Sequence, residues 1–235
     1  MQIEIIWSMA VILHIETSTD VCSAALSDNG HILTSQVCTK GMSHASQLPL
    51  FCNTMLNHCR ANGQKPDAVA VSAGPGSYTG LRIGVSAAKG LCYGLDAQLI
   101  AIDTLQLIAK AAWAKIADEN ALVCPMIDAR RMEVYCALFD NRLQKAGQTE
   151  AKIIDENAFS EQLAERNIYF CGNGAHKCQT VIQHKNAHFI DGIVPLAENM
   201  VDLAESLYAH HKFEDVAYFV PFYLKEFQAT TPKQR

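Results

Sequence analysis

The chain has 235 residues, of which 49% are hydrophobic and only 18% charged, with a net charge of −5. That balance excludes a disordered chain, which needs low hydrophobicity and high net charge, and it excludes a stand-alone nucleic-acid binder, which needs a basic excess to meet phosphates. The length allows one large domain or two of about 100 residues each. The nine cysteines stand singly between Cys22 and Cys178 with no C-x-x-C pair, which predicts reduced, mostly buried thiols rather than a disulfide framework. The apolar stretch Ile3–Ile15 carries Glu4 and His14, lacks a basic leader and is too short to span a bilayer, so a soluble, cytoplasmic protein without a membrane partner is expected.

Three strands open the chain: Val11–Thr17, Val21–Ser27 and His31–Cys38, with Thr19-Asp20 and Asp28-Asn29-Gly30 as turns. Leu48, Phe51, Cys52, Met55, Leu56 and Cys59 then recur three and four apart, predicting a helix over Ser46–Arg60. Ser43 or Ser46 caps it, Pro49 is tolerable only near its first turn, and Asn62-Gly63 ends it. Strand Asp67–Ala73, helix Thr79–Gly94, strand Gln98–Ile102 and helix Thr104–Ala117 complete the first half.

The second half repeats the order. Strands Leu122–Asp128, Glu133–Phe139 and Thr149–Ile154 precede a helix near Glu156–Arg166. Strand Ile168–Cys171, helix Ala175–His184, strand Ala187–Ile190 and helix Leu196–His211 follow. A slide of 112 residues lays Ile15-Glu16 on Ile127-Asp128 and Asp28-Asn29 on Asp140-Asn141, as duplication of one α/β unit would. Two such halves resemble the actin-like ATPase (ASKHA) fold with its paired ribonuclease-H-like domains, in which phosphates sit between the two first-hairpin turns. Domains 9–118 and 119–235 are expected, with 1–8 an extension or a misassigned start before Met9.

The sharpest motif is the run Ala73-Gly74-Pro75-Gly76-Ser77-Tyr78-Thr79-Gly80-Leu81-Arg82-Ile83-Gly84, between a strand and a helix. Its spacing is one residue too long for a dinucleotide fingerprint, it lacks a Walker lysine, and it holds no G-x-S-x-G elbow. It is either an anion cradle at a helix N-terminus or a tight structural turn. The helix that follows is polar only along Arg82, Ser86, Lys89 and Tyr93, so it is buried on most sides. Either it is a central helix of its own domain, or Gly80, Gly84 and Ala87 also let another chain's backbone come close.

Histidines and cysteines show no metal spacing: His44 stands alone, and His58-Cys59, His176 with Cys178, and His210-His211 lack H-x-x-x-H or C-x-x-C geometry. Gly172-Asn173-Gly174 is a ligand loop or a plain turn. Glu16 and Asp128 are either facing carboxylates in a cleft or turn residues. Glu16, Thr17, Ser18 and Asp128 are the candidate nucleotide contacts.

The run Ile12-Leu13-His14-Ile15-Glu16-Thr17-Ser18, the Gly74–Gly84 segment and Ala87-Ala88-Lys89-Gly90 resemble the TsaB (YeaZ) family of glycoprotease-like proteins, strongly over residues 9–110 and more loosely beyond. Pro221-Phe222-Tyr223-Leu224-Lys225 is similar to that family's closing Pro-x-Tyr element. The resemblance implies a part in making threonylcarbamoyladenosine beside the tRNA anticodon. Where the catalytic relative TsaD carries two metal-binding histidines, this chain has Thr104 and Ile108. The resemblance therefore implies a non-catalytic subunit with no metal of its own, pairing with a TsaD-like paralogue and a TsaE-like ATPase. Those partners would hold ATP and a metal, and tRNA would be met only through the complex.

In the family the two helices around the glycine turn form the interface. That carries over to Ser46, Leu50, Asn53, Thr54 and Asn57 on the first helix. On the turn and second helix it carries over to Gly76, Ser77, Tyr78, Thr79, Gly80, Arg82, Ile83, Gly84, Ala87 and Leu91. A standard interface would bury about 1,600 Å² in total, and without a partner the same face implies a homodimer. The alternative is a nucleotide-dependent ATPase or kinase of the same fold. A peptidase, suggested only by the family's old label, has neither a metal motif nor a Ser/Cys–His pairing to support it.

Overall fold

The repeat read from the sequence is a repeat of topology. In the computed structural model, which describes residues 10–41 and 43–225, two five-stranded sheets share one strand order. The first is built from β1 (Val11–Glu16), β2 (Cys22–Asp28), β3 (His31–Cys38), β4 (Ala68–Gly74) and β5 (Gln98–Asp103), in the order β3-β2-β1-β4-β5. The second is built from β6 (Leu122–Asp128), β7 (Glu133–Cys136), β8 (Glu150–Ile153), β9 (Ile168–Cys171) and β10 (Ala187–Ile190), in the order β10-β9-β6-β7-β8. In each, the first three strands form an antiparallel meander and the last two add in parallel to the first. Glu16 and Asp128 end the equivalent strands β1 and β6, as the slide of 112 places them. This is the paired ribonuclease-H-like arrangement of the actin-like ATPase fold. The expected extension Met1–Ser8 and the alternative start at Met9 lie outside the described residues.

Local chemistry explains the first meander. Asn29 and Gly30, at φ of 51° and 75°, join β2 to β3 in a two-residue turn that pairs Asp28 with His31. Two consecutive left-handed residues match the natural twist of a hairpin, which is why Asn-Gly marks such turns. Alternation along β1 sends Val11, Leu13 and Ile15 to one face and Ile12 to the other, and both faces are buried.

On the first face lie α1 (His44–Ala61) and α2 (Tyr78–Leu95), packing Leu48, Met55, Val85 and Ala88 against the sheet. The other face meets Met200 and, from α6 (Val201–Ala209), Ala204. Helix α3 (Thr104–Trp113) is wedged between the sheets, with Leu105, Ile108 and Ala112 against Val123, Ile127 and Phe139. Beyond the second sheet lie α4 (Ser160–Glu165) and α5 (Ala175–Cys178).

The second half has less helix than its periodicity predicts. In place of Glu156–Arg166, the Asp155 side chain accepts the Asn157 N–H and its carbonyl that of Ala158, holding residues 155–158 in a turn. Helix starts only after Phe159, which is left-handed. The helix expected over Ala175–His184 is one turn long, and that over Leu196–His211 divides into a 3₁₀ turn, Ala197–Met200, and α6. Strand β7 stops at Cys136, although Phe139 still exchanges two backbone hydrogen bonds with Val123. Helix α1 begins two residues before the expected Ser46, which puts Pro49 in its second turn.

The end of the chain returns to the first sheet. The Ala197 N–H donates to the Ser23 hydroxyl at 2.9 Å, Glu205 accepts the Gly30 N–H at 3.0 Å, and the Glu214 N–H reaches the Leu99 carbonyl at 2.9 Å. Residues 216–225 then run over α2 as a strap. Among the described residues no helix is long and apolar enough to cross a membrane. All nine cysteines are unpaired and eight of them are buried.

Candidate functional site

The glycine run serves a close approach between two pieces of this chain. Residues Glu16–Thr17–Ser18, at the end of β1, form a buried bracket over the start of α2. The Thr17 hydroxyl donates to the Gly80 carbonyl at 2.8 Å, and the Ser18 carbonyl accepts the Ser77 N–H at 2.7 Å. Ser77 then caps the helix, its hydroxyl accepting the Gly80 N–H at 3.2 Å. There is no room for side chains in this contact. A Cβ on Gly76 would lie 2.4 Å from the Ser18 carbonyl oxygen, and one on Gly84 would lie 2.2 Å from Thr17 Oγ1. Gly80 and Gly84 are accordingly buried against Thr17, so two of the three small residues expected to admit another chain's backbone admit this chain's own segment just past β1.

Glu16 holds the bracket from behind. Its Oε1 accepts both the N–H and the hydroxyl of Ser18, each at 2.5 Å. Burial pushes its carboxyl up to about 7, against the Ser18 and Ser72 hydrogen bonds that pull it down. It is wholly enclosed and does not line the cleft between the two halves.

That cleft has a volume of about 1020 Å³ and is open to solvent. Ser18, Asp20 and the glycine turn form one wall, the loop after β6 forms another, and Phe222–Lys225 of the strap cross between them. Asp128 does line the cleft, but it is bound to the Lys177 ammonium, which also reaches the carbonyls of Arg131 and Glu133 at 2.7 Å. Glu16 and Asp128 therefore do not meet as a pair of cleft carboxylates: one is sealed behind Ser18 and the other is neutralised. Thr17 is also enclosed, so of the four candidate nucleotide contacts only Asp128 is exposed in the cleft, while Ser18 borders it fully buried. Asn173, from the turn after β9, lines it too and accepts the Asp128 N–H at 3.0 Å.

A family model described as TsaD, tRNA N6-adenosine threonylcarbamoyltransferase, matches residues 39–233. The tRNA threonylcarbamoyladenosine biosynthesis protein TsaB of Escherichia coli K12 is 30% identical over 222 residues, covering 91% of this chain and 94% of that one. The TsaB of Haemophilus influenzae is 31% identical, covering 91% and 93%. This chain belongs to the TsaB (YeaZ) family. The solved structure of YeaZ from Pseudomonas aeruginosa matches with a TM-score of 0.77 at 26% identity, over 92% of this chain and 100% of that one. The likeness thus extends well into the second half, beyond the region where the motifs alone carry it.

The residues that the TsaB pattern assigns to a partner face divide by exposure. Ser46, Leu50, Asn53, Thr54 and Asn57 line the outer side of α1, with Leu50 60% exposed. Ser77, Thr79 and Arg82 are exposed at the start of α2, while Gly76, Tyr78, Ile83, Ala87 and Leu91 are half-buried. Of the polar stripe on α2, Arg82, Ser86 and Tyr93 are exposed. Lys89 is partly covered by the strap, its ammonium donating to the carbonyls of Ala217 at 3.0 Å and Phe219 at 3.1 Å. The strap also donates the Phe222 N–H to the Ala73 carbonyl at 2.7 Å and sets the Tyr223 ring 4.8 Å from that of Tyr78.

Just before Thr104 and Ile108, Asp103 caps α3 by accepting the N–H groups of Leu105 and Gln106, while its other oxygen binds Lys145 at 2.6 Å. Thr104 and Ile108 are both fully buried. Two features escaped the sequence reading: the bracketing role of Thr17, and the loop between β6 and β7, where Arg130 and Arg131 are left-handed at φ of 71° and 50°. The signal for the second was its length, since four residues join two strands there without a glycine.

Proposed function

We propose that this chain is the non-catalytic, dimer-forming subunit of the machinery that makes threonylcarbamoyladenosine in tRNA. It pairs with a TsaD-like catalytic paralogue and, through that pair, with a TsaE-like ATPase. ATP and the catalytic metal are held by those partners, and tRNA is met in the assembly. The observation that carries this reading is the two-helix face, where exposed Leu50 on α1 lies among small polar residues beside the half-buried Ile83, Ala87 and Leu91 of α2. Its mixed apolar and small polar chemistry suits a second helix pair packed across it. Without the paralogue, the same face supports a homodimer. Burial of Thr104 and Ile108 supports the non-catalytic role, because neither side chain could hold a metal or polarise a threonylcarbamoyl group. An ATPase or kinase reading is disfavoured by the burial of Glu16 and the pairing of Asp128 with Lys177.

Size-exclusion chromatography with light scattering, on this chain mixed with the TsaD-like protein of the same cell, tests the reading. The wild-type mixture should run at the summed mass, and Leu50→Glu should abolish that peak while leaving the circular dichroism unchanged. Separate peaks from the wild-type mixture would overturn the assembly.

A further inference from the structure

Among the described residues the cleft is lined by three acids, Asp20, Asp128 and Glu133, and three bases, Arg130, Arg131 and Lys225, and Lys177 behind the wall adds one more positive charge. Asp128 is held by Lys177, and Glu133 by Lys225. Arg130 and Arg131 are exposed on the rim, and among the described residues neither guanidinium makes an ion pair or hydrogen bond. That sets two uncommitted guanidiniums against one unpaired carboxylate, Asp20. Across the cleft the wall is aromatic: the Tyr78 and Tyr223 rings lie 4.8 Å apart, and Phe222 beside them is 48% exposed.

Guanidiniums seek phosphoryl oxygens, and although Arg82 lies over the Tyr78 ring, the exposed Phe222 and Tyr223 offer a stacking surface to an unpaired base. A magnesium-bound nucleotide is a poorer match, because such a site needs free carboxylates to hold the cation. At about 1020 Å³ and open to solvent, the cleft is also at the upper end for a small-molecule pocket.

We propose that this cleft receives a single-stranded segment of RNA, its phosphodiester on Arg130 and Arg131 and an unstacked base against the Tyr78–Tyr223–Phe222 wall. This rests on the reading above that the client is tRNA, and it adds a direct contact from this subunit. The acidic chain as a whole repels RNA, so the contact operates chiefly once partners have brought the strand close.

The test is fluorescence anisotropy with a labelled single-stranded anticodon-loop oligonucleotide, titrated with the full chain alone and with the chain–paralogue complex over a range of salt. Arg130→Asn with Arg131→Gly removes both charges while favouring the left-handed turn. This double variant should weaken binding to the complex at least tenfold and reduce the slope of log affinity against log salt by about 1.4. Tyr223→Ala should weaken binding about 5- to 100-fold with the slope unchanged. Wild-type affinity and slope in the double variant would overturn the proposal, as would loss of assembly by light scattering, which would make the cleft rim a partner surface. Should the wild-type pair itself fail to form, the assembly reading fails; RNA binding by the chain alone then decides this one, and absence of binding overturns it. Competition by magnesium-ATP that the double variant abolishes, without an effect on RNA, would reassign the site to a nucleotide.

Discussion

The carbonyl oxygen of Thr17 occupies the space that a side chain on Gly80 would need: a Cβ built there would lie 2.1 Å from it. Backbone from β1 and backbone from α2 meet at that point, and the Thr17 hydroxyl bonds the carbonyl of the same glycine. The glycine run is thus a packing device that lets the end of the first strand rest directly on the helix.

Gly80→Ala forces that contact apart, because the colliding atom is backbone and cannot rotate away. It should destabilise the fold by about 2–3 kcal/mol or more, measured by urea unfolding. Gly84→Leu should likewise impair folding before it affects any partner, since the colliding group is Thr17 of the same chain. Gly90, on the exposed side of α2 with nothing within 4 Å of an added Cβ, is the control. Gly90→Ala should stabilise the helix by about 0.5–1 kcal/mol.

The Glu16 carboxyl titrates near 4.5 when the chain is unfolded and at about 7 when folded, because burial opposes its charge. Between those pH values the native state keeps a proton that the unfolded chain has released. Stability from this group is therefore full below pH 4.5 and is lost as pH rises through 7, by roughly 3 kcal/mol. His14 acts in the opposite sense. Burial first, and the Lys110 charge second, lower it from 6.5 to about 3, so its contribution is lost as pH falls through that range. Glu16→Gln keeps an acceptor for Ser18 but cannot ionise. Its stability relative to the wild type in urea unfolding should rise steadily from pH 4.5 to 7 and level off above that, by roughly 3 kcal/mol in all, and a difference that does not change with pH would contradict the assignment.

Lys89 ties the strap to α2 through two carbonyls. Lys89→Met should leave global stability within about 1 kcal/mol, yet speed hydrogen–deuterium exchange over residues 216–222. The Phe222 amide, bonded to Ala73, is the diagnostic site. Exchange as slow as in the wild type would show that Val216 and Phe219, packed on the core, hold the strap without the lysine.

Cys38 is the one cysteine that is not buried, and the Ser43 hydroxyl beside it draws its thiol below the usual value. Burial pushes Cys22 and Cys171 up to about 12, and Cys52, Cys92 and Cys178 up to about 11. Brief iodoacetamide treatment should therefore add a single label to the native protein and nine after denaturation, read by intact mass.

Much of this was legible in the residues. Alternation and turn chemistry specified the first meander, Asn29-Gly30 marked its hairpin, and the slide of 112 anticipated two sheets of one topology, because these signals act over a few neighbouring residues. The burial of α2 could also be read from its narrow polar stripe. What that helix is buried against could not: Gly80 and Gly84 are small in either case, and only the folded chain brings Thr17, 63 residues from Gly80, onto them. The same holds for the candidate carboxylates. Glu16 and Asp128 match by repeat position, but an enclosure built from Ser18 and Ser72 removes one from the cleft and Lys177 neutralises the other. Local pattern determined the elements and their order, while contacts between residues distant in sequence decided which side chains are sealed, which are paired and which remain free to meet another molecule.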